Sequence, residues 1–330
     1  MNSAEFVILE DKMRTEEMMK NPSSFAPVWM DEWQPSPEML DFEEKWRAFH
    51  TPGGRLMSCA HRGDRNKYYP ENSLEGFLSC IMAGSDILEV DIHTTKDGVL
   101  VIMHDSTVTR TTNVTALREA GEDWMPETDS ISDWTFEQLR RLRLITLPDK
   151  AVTEYAIPSL RELITLAKNR CFITLDKINA FSWEDGIAPL LDELDAYRTV
   201  LIPYNYDIDR AYALRQNQLR TKGLCCPFFA AIGEEGGIMS ETKMQTVPVF
   251  LREHDMPPAL RGGEYWPEQR EKLEPYVSSL KGNHRIYAET LRGVHDNREH
   301  WEQMLEIGYN IIMGNKIYDV LKMIKELHFA

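Results

Sequence analysis

Short apolar runs alternate with helical patterns along most of this chain. The runs Leu56 to Ala60, Ile87 to Val90 and Val99 to Met103 each lead into polar residues, and short apolar runs bounded in this way are typical of buried strands. Further strands are predicted at 171–176, 199–203, 227–232, 247–251, 285–288 and 310–313. Helices are predicted between them at 73–84, 159–169, 208–216, 267–280, 297–307 and 317–327.

Strands that alternate with helices over 330 residues favour a TIM-type (β/α)8 barrel over an open sheet. The sequence has no Gly-x-Gly-x-x-Gly or Walker-type loop, which weakens a nucleotide-binding alternative. We therefore expect an α/β protein with one barrel at 55–330 and an N-terminal extension at 1–54. A long polar stretch at 106–157, after the third strand, is predicted to be a small insertion that caps the barrel.

The N-terminal segment contains too many aromatic residues for a purely disordered tail. A helix over 37–49 would place Met39, Phe42, Trp46 and Phe49 along one side, and Trp29 and Trp33 precede it. We expect this extension to pack on the barrel. It either covers the bottom of the barrel or contacts a partner chain, as in a homo-oligomer.

Two carboxylates lie two residues apart in the second predicted strand. Because side chains alternate faces along a strand, Glu89 and Asp91 point to the same side. Their apolar neighbours indicate burial, where unpaired charge is costly. A hard cation such as Mg²⁺ or Ca²⁺ between them would relieve the repulsion, whereas a solvated strand with two carboxylates is the simpler alternative.

Two histidines follow apolar runs, at the points where parallel strands give way to loops. His61 and His104 titrate near neutral pH and can transfer protons, which suits cleavage of an ester beside a metal. Arg62 offers a fork of donors that matches phosphate. His93 shares the face of the carboxylates, and we expect it to orient a ligand rather than to bind metal. Taken singly, each of these residues also has a purely structural explanation.

The stretch Pro70-Glu71-Asn72-Ser73 precedes a predicted helix. Asn72, with Glu75 three residues later, predicts a capping box that opens the helix. In the loop before this stretch, Tyr68 or Tyr69 would lie at the active end of a barrel, where it could line a substrate pocket or pack against the next loop.

The motifs together are more specific than any one of them. His61-Arg62-Gly63, the Pro-Glu-Asn-Ser stretch, Glu-x-Asp at 89–91 and His104-Asp105, in this order, resemble the signature of the glycerophosphodiester phosphodiesterase family. The resemblance continues through Thr95-Lys96-Asp97-Gly98 and Ile157-Pro158-Ser159-Leu160, and it thins towards residue 320.

This resemblance implies a metal-dependent barrel hydrolase that splits glycerophosphodiesters into glycerol 3-phosphate and an alcohol. By resemblance, His61 and His104 are the acid–base pair and Arg62 binds phosphate. Glu89 and Asp91 would hold one divalent ion, Mg²⁺ or Ca²⁺. Membership of this family would make the protein a phosphoric diester hydrolase of lipid and glycerol metabolism.

The chain departs from the family pattern at two strand ends. The family usually has Glu-x-Lys after the strand at 171–176, whereas this chain has Asp176-Lys177. By resemblance, Asp176 is the third metal ligand and Lys177 contacts the substrate, although a surface ion pair is the simpler interpretation. The family tends to end its last strand with Thr-Asp, and this chain has Gly314-Asn315 there.

Composition limits the possible partners and location. The net charge of −16 argues against nucleic acid or an anionic membrane as the main partner, and leaves a small-molecule phosphodiester as the expected one. Five cysteines without a framework spacing indicate reduced thiols and a cytoplasmic setting. We predict no transmembrane segment and no signal peptide in this chain.

Two alternatives to glycerophosphodiester hydrolysis remain at this point. One is lysophospholipase D-type cleavage of lysophospholipids by a wider barrel mouth. The other is a catalytically impaired barrel that binds a phosphorylated ligand or a partner protein, as the departures at Asp176 and Asn315 would allow.

Overall fold

A computed structural model describes residues 13–22, 33–147, 149–177, 186–204, 208–223, 225–231, 241–254, 259–265, 267–290 and 294–329. Trp29 and the last residue of the predicted strand 227–232 lie outside the described residues. Among the described helices, none combines the length and apolar character needed to cross a membrane.

Eight parallel strands form a closed barrel, as the alternating pattern predicts. In the order of the sheet, each strand pairs with its neighbour, and β1 pairs with both β2 and β9, which closes the ring. The short strand β3 instead pairs antiparallel with the outer end of β2. The strands are β1 Met57–His61, β2 Ile87–Thr94, β3 Leu100–Ile102, β4 Phe172–Asp176, β5 Val200–Tyr204, β6 Phe228–Ala231, β7 Ala259–Glu264, β8 Arg285–Thr290 and β9 Ile311–Gly314.

Helices connect successive strands, as expected for this type of barrel. They are α1 Pro37–Leu40, α2 Phe42–His50, α3 Leu74–Met82, α4 Val114–Glu119, α5 Phe136–Arg141, α6 Leu160–Ala167, α7 Ala188–Leu194, α8 Ile208–Lys222, α9 Glu241–Glu253, α10 Arg270–Leu280, α11 Arg298–Ile307 and α12 Ile317–His328. Residues 13–20 are also helical.

Alternation along the strands separates two cores. Met57 and Cys59 of β1 belong to a cluster inside the barrel, whereas Ala60 packs with the surrounding helices. On β2, Ile87 belongs to the inner cluster while Leu88 and Val90 belong to the outer one. The inward-facing positions continue along the strands towards their carboxyl ends, where the inward side chains are polar.

The N-terminal segment packs against the bottom of the barrel. Phe42 and Phe49 of α2 join the inner cluster, and Phe49 lies 5.1 Å, ring to ring, from Phe172 of β4. Closer to the N-terminus, Arg14 forms ion pairs with Glu75 at 2.7 Å and Glu162 at 3.2 Å. The extension therefore contributes to the barrel's own core.

The residues between β3 and α6 have a small core of their own. Trp134, Phe136 and Leu139 are buried there and pack with Val101 and Met103. The stacked rings of Tyr69 and Tyr155, 6.3 Å apart, connect this segment to the loop after β1. The segment thus lies beside the carboxyl end of the barrel, although its role as a cap stays a prediction.

Three local predictions are wrong, and one strand is not predicted. Residues 247–251 lie in α9 rather than in a strand, and the strand of this region is β7, for which no prediction was made. The predicted helix over 37–49 is two helices, because Asp41 is extended and its side chain accepts a hydrogen bond from Glu43 N. The cap of α3 is Ser73 rather than Asn72, since Ser73 Oγ accepts from Gly76 N.

Candidate active site

The predicted site residues lie at the carboxyl ends of neighbouring strands. His61 ends β1 and is paired in register with Glu89 of β2, and Asp91 is paired with Asp176 at the end of β4. These residues continue the inward-facing positions of their strands. Because parallel strands bring their carboxyl ends to one face of a barrel, residues far apart in sequence meet there.

Three carboxylates form the centre of the site. Glu89, Asp91 and Asp176 each offer an oxygen atom, and these atoms lie within 4.8 Å of one another. Glu89 is 3% exposed and Asp91 is 1% exposed. Three buried or half-buried like charges repel unless a cation lies among them, and an all-oxygen donor set fits a hard divalent ion. The residues present therefore fit a metal of this class.

Asp91 contacts three polar side chains of the site. Its Oδ2 lies 3.3 Å from Arg62 Nε and accepts a hydrogen bond from Asn72 Nδ2 at 3.2 Å. Its Oδ1 lies 3.7 Å from Lys177 Nζ. The position of Lys177, immediately after Asp176, therefore does not direct its side chain away from the site.

His61 is buried, and its ring is held by a neutral partner. Its Nδ1 lies 2.7 Å from Asn315 Oδ1, which belongs to the residue directly after β9. Burial, together with the charge of Arg62, lowers the pKa of His61 to about 3. An uncharged amide does little to stabilise an imidazolium ion, so His61 is neutral at physiological pH.

A buried aspartate fixes the position of Asn315. Asp296 is 1% exposed, and its Oδ2 accepts hydrogen bonds from Asn315 N at 2.7 Å and Lys316 N at 3.0 Å. Burial raises the pKa of Asp296. A side chain at Gly314 would clash with Asp296 Oδ1, which explains why glycine stands at this strand end.

His104, unlike His61, has a charged hydrogen-bond partner. Its Nδ1 lies 2.6 Å from Asp105 Oδ1, and Arg110 Nε donates to Asp105 Oδ2 at 2.5 Å. The hydrogen bond from Arg110, reinforced by the one from His104, holds the pKa of Asp105 well below its usual range. The Asp105 carboxylate thus fixes the orientation of the His104 ring.

Arg110 also joins the two histidine regions through Glu71. Its Nη2 donates to Glu71 Oε1 at 2.6 Å, and Arg62 Nη1 lies 3.4 Å from the same oxygen. Burial alone would raise the pKa of Glu71, but the hydrogen bond from Arg110 and the charge of Arg62 lower it. An ion-pair chain thus runs from Asp105 to Arg62 across the site.

His93 contacts the main chain of the second histidine rather than the carboxylates. Its Nε2 lies 3.2 Å from the His104 carbonyl oxygen, which also accepts from Lys177 Nζ. The orienting role expected for His93 stays a prediction. In all, the seven predicted site residues lie together, while their individual roles stay predictions.

Three non-glycine residues of the site have left-handed backbone conformations. These are Arg62 at φ 61°, Asn72 at φ 58° and Lys177 at φ 59°. Such conformations are uncommon for residues with a Cβ atom and concentrate at functional sites. Here they turn the chain sharply after β1 and β4, which directs Arg62 and Lys177 towards Asp91.

Sequence reasoning missed several contacts of the site. Asn72 was interpreted as a helix cap but contacts Asp91, and the link between His61 and Asn315 spans 254 residues of sequence. The available signal for Asn315 was its place at the end of the last strand, on the predicted active face. No local pattern indicates that Arg110 joins Glu71 to Asp105.

The fold and the site together define a TIM-type barrel with a carboxylate cluster and two histidines at its carboxyl end. The model of the glycerophosphoryl diester phosphodiesterase family matches residues 61–225, half of the chain. The chain belongs to this family. The match contains every predicted site residue, whereas Asn315 and Asp296 lie beyond it.

A curated relative, a glycerophosphodiester phosphodiesterase of Caldanaerobacter subterraneus subsp. tengcongensis, is 37% identical over 120 residues, which are 36% of this chain and 43% of the relative. The chain spans less than half the length of the curated glycerophosphodiester phosphodiesterases that it matches.

Solved structures share the fold over most of their length. A glycerophosphoryl diester phosphodiesterase from Parabacteroides distasonis has a TM-score of 0.63 at 24% identity, covering 89% of this chain and 94% of that one. A phosphodiesterase of Oleispira antarctica, solved with the product sn-glycerol-3-phosphate, has a TM-score of 0.55 at 15% identity over 82% of this chain and 97% of its own.

Proposed function

We propose that this protein is a glycerophosphodiester phosphodiesterase that releases glycerol 3-phosphate and an alcohol. The observation that carries the proposal is the cluster of Glu89, Asp91 and Asp176 with oxygens within 4.8 Å, flanked by two histidines whose partners differ in charge. The names of the relatives and the bound product of the Oleispira enzyme support the same reaction class.

The carboxylate cluster is the proposed site of one divalent ion, Mg²⁺ or Ca²⁺. When bound, such an ion polarises phosphoryl oxygens and offsets charge that develops on them. Arg62 and Lys177 already lie within 3.3 Å and 3.7 Å of Asp91, so their cationic groups are placed to bind and orient a phosphate held beside the cluster.

The partners of the two histidines support different roles for the two rings. Asn315 Oδ1 accepts a hydrogen bond from His61 Nδ1, which leaves the Nε2 lone pair of His61 free to take a proton from the attacking hydroxyl. Asp105 accepts a hydrogen bond from His104 Nδ1 and so orients the ring, which leaves Nε2 as the atom that can pass a proton to the leaving alkoxide. We therefore infer that His61 is the general base and His104 the general acid.

The two alternatives have less support. An impaired barrel would require that Asp176 fails to replace the family's glutamate, yet its carboxylate joins the cluster. The described groups next to the carboxylate cluster, Arg62, Lys177 and Arg110, are charged, whereas the acyl chain of a lysophospholipid needs apolar surroundings. Cytoplasmic location and a homo-oligomer formed through the N-terminal extension stay predictions.

The test is release of glycerol 3-phosphate from a panel of glycerophosphodiesters, with and without a chelator. We expect turnover that depends on Mg²⁺ or Ca²⁺, and a fall of about 10²–10⁴-fold in His61→Ala, the usual contribution of a general base. His50→Ala is the matched control, because His50 bonds Trp46 O in α2 at the opposite end. Absence of turnover with every metal and diester would refute the proposal.

A further inference from the structure

A cavity of about 380 Å³ opens next to the candidate site. Five described side chains line it: Arg65, Asn66, Tyr69, Glu71 and Leu147. Glu71 connects the cavity to the site, since its Oε1 lies 3.4 Å from Arg62 Nη1, and Arg62 in turn contacts Asp91. A substrate with its phosphate at the carboxylate cluster would therefore extend towards this cavity.

Arg65 has hydrogen-bonding capacity that the protein leaves unused. Its nearest carboxylate is Glu71, with Arg65 Nη1 and Glu71 Oε2 3.7 Å apart, which exceeds hydrogen-bond distance. Among the described residues, the Arg65 side chain makes no hydrogen bond, and it is 28% exposed. Glu71 itself is held by Arg110 and Arg62, so its charge is largely compensated on the other side.

The loop that carries Arg65 is held firmly in place. Asp64 is buried and accepts hydrogen bonds from Ser79 Oγ at 2.7 Å and from Tyr318 OH. Asn66 Oδ1 accepts from Tyr68 N at 2.7 Å and Tyr69 N at 3.1 Å. A loop fixed at both ends in this way holds Arg65 and Tyr69 in position before a ligand arrives, which reduces the entropic cost of binding.

The walls of the cavity complement the guanidinium group. Tyr69 is 5% exposed, and Leu147 reaches the cavity from the insertion on the opposite side. Arginine donors match hydroxyl and carboxylate oxygens, and the two apolar walls can cover a carbon skeleton. A quaternary ammonium group has no acceptor for these donors and would meet a like charge.

We propose that this cavity is the head-group subsite and that Arg65 selects head groups rich in oxygen acceptors, such as polyols, over quaternary ammonium head groups. The inference rests on the proposed function, because it takes the phosphate to lie at the carboxylate cluster. It adds a residue that determines specificity and lies outside the metal and acid–base groups.

The experiment compares kcat/KM for glycerophosphoinositol and glycerophosphocholine in the wild type, Arg65→Gln and Lys67→Gln. Since a hydrogen bond from a charged group contributes enough for about a tenfold difference or more, we expect the wild type to prefer the inositol diester by at least that factor. Arg65→Gln should reduce the ratio to about 1. Lys67→Gln removes the same charge from an exposed position of the same loop and should preserve the ratio.

Binding of both diesters to a His61→Ala variant, measured by calorimetry, separates this inference from the proposed activity. If neither diester is hydrolysed but the inositol diester binds more tightly in an Arg65-dependent way, the activity proposal fails and the subsite stands. A wild-type ratio near 1, or an equal fall for both diesters in Arg65→Gln, would overturn the subsite, because Arg65 would then act on the shared phosphate.

Discussion

The two ends of the barrel both bury charged side chains, but the charges are arranged in opposite ways. At the bottom, Asp86 is fully buried and lies 2.7 Å from Arg55 Nη2, and Lys45 Nζ donates to Ser85 O at 2.7 Å and Arg170 O at 2.8 Å. Arg285 donates to two main-chain carbonyls. Each charge at this end has a partner of opposite sign or a carbonyl oxygen.

At the top of the barrel, where the strands have their carboxyl ends, three carboxylates lie close together. Arg62 Nε and Lys177 Nζ lie 3.3 Å and 3.7 Å from Asp91. Glu89 and Asp176 lie within the same 4.8 Å cluster, where Glu89 Oε2 accepts a hydrogen bond from Arg62 N at 3.2 Å. Like charges this close destabilise a fold unless a cation joins them. The comparison teaches that buried charge alone does not mark a functional site. What marks it here is a group of three like charges within 4.8 Å of one another.

The largest expected effect is loss of activity in Asp176→Asn. Loss of a group that only orients a metal ligand costs about 10–100-fold in metal affinity, so loss of a ligand itself should cost at least about 100-fold. Metal-free stability should not fall, because one of the repelling charges disappears. Metal titrations and urea unfolding with chelator measure the two quantities.

Asp176→Glu is the matched control for that substitution, because it keeps the charge and restores the family's usual residue. It should retain metal-dependent turnover. If Asp176→Asn binds metal as well as the wild type, Asp176 is no ligand and the contrast between the two ends loses its main support.

The next largest effect is expected at the bottom, in Asp86→Asn. Removing one partner of a buried ion pair costs about 3–5 kcal/mol, and here it leaves Arg55, Lys45 and Arg285 without their shared carboxylate. Urea unfolding should show this loss of stability. The kcat of the folded fraction should be unchanged, and a drop in kcat at full folding would mean that the two ends are coupled.

A smaller effect is expected when metal is added to the wild type. At a free concentration of 100 times its Kd, an ion that binds only the folded state adds about 2.7 kcal/mol to the free energy of unfolding. Thermal unfolding with and without Mg²⁺ or Ca²⁺ measures this gain. Asp86→Asn should show the full gain, because its metal site is intact, whereas Asp176→Asn should show little of it.

The sequence predicts the residues at the carboxyl end of the barrel better than it predicts the secondary structure around α9 and β7. The spacing of Glu89 and Asp91 follows from strand geometry, and His61 belongs to a motif that resembles the family signature. In contrast, β7 contains Gly262 and Gly263 and is a strand because Ala259 and Leu260 pair with β8, and strand propensity depends strongly on such context. The apolar run at 247–251 is too short to distinguish a helix from a strand by pattern.

Contacts between distant residues are the other part that local pattern cannot supply. Asp296 holds the end of β9, and only the folded barrel brings Asn315 to His61. Similarly, Asn72 does not cap the helix but contacts Asp91, because its left-handed backbone turns the side chain towards that carboxylate. In each case the contact forms only in the folded barrel, so local sequence does not predict it.

The smallest expected effect comes from Asn315→Asp, which places a carboxylate beside His61 in the manner of the ion pairs at the bottom. In the wild type, burial and the charge of Arg62 lower the pKa of His61 to about 3, so this base stays neutral as the pH falls well below neutrality. A neighbouring carboxylate stabilises the imidazolium ion and should raise that pKa by about 1–3 units. Since a general base acts only when unprotonated, kcat/KM of the variant should begin to fall at a higher pH than that of the wild type.

The pH profile of kcat/KM distinguishes this effect from simple damage to the site. Asn315→Ala is the control, because it removes the hydrogen bond to His61 Nδ1 without adding a charge. It should lower kcat while leaving the acid side of the profile in place, since the ring loses its orientation but gains no stabilising partner. If Asn315→Asp and the wild type lose activity at the same pH, His61 is not the base, and the neutral partner at the top of the barrel has no bearing on proton transfer.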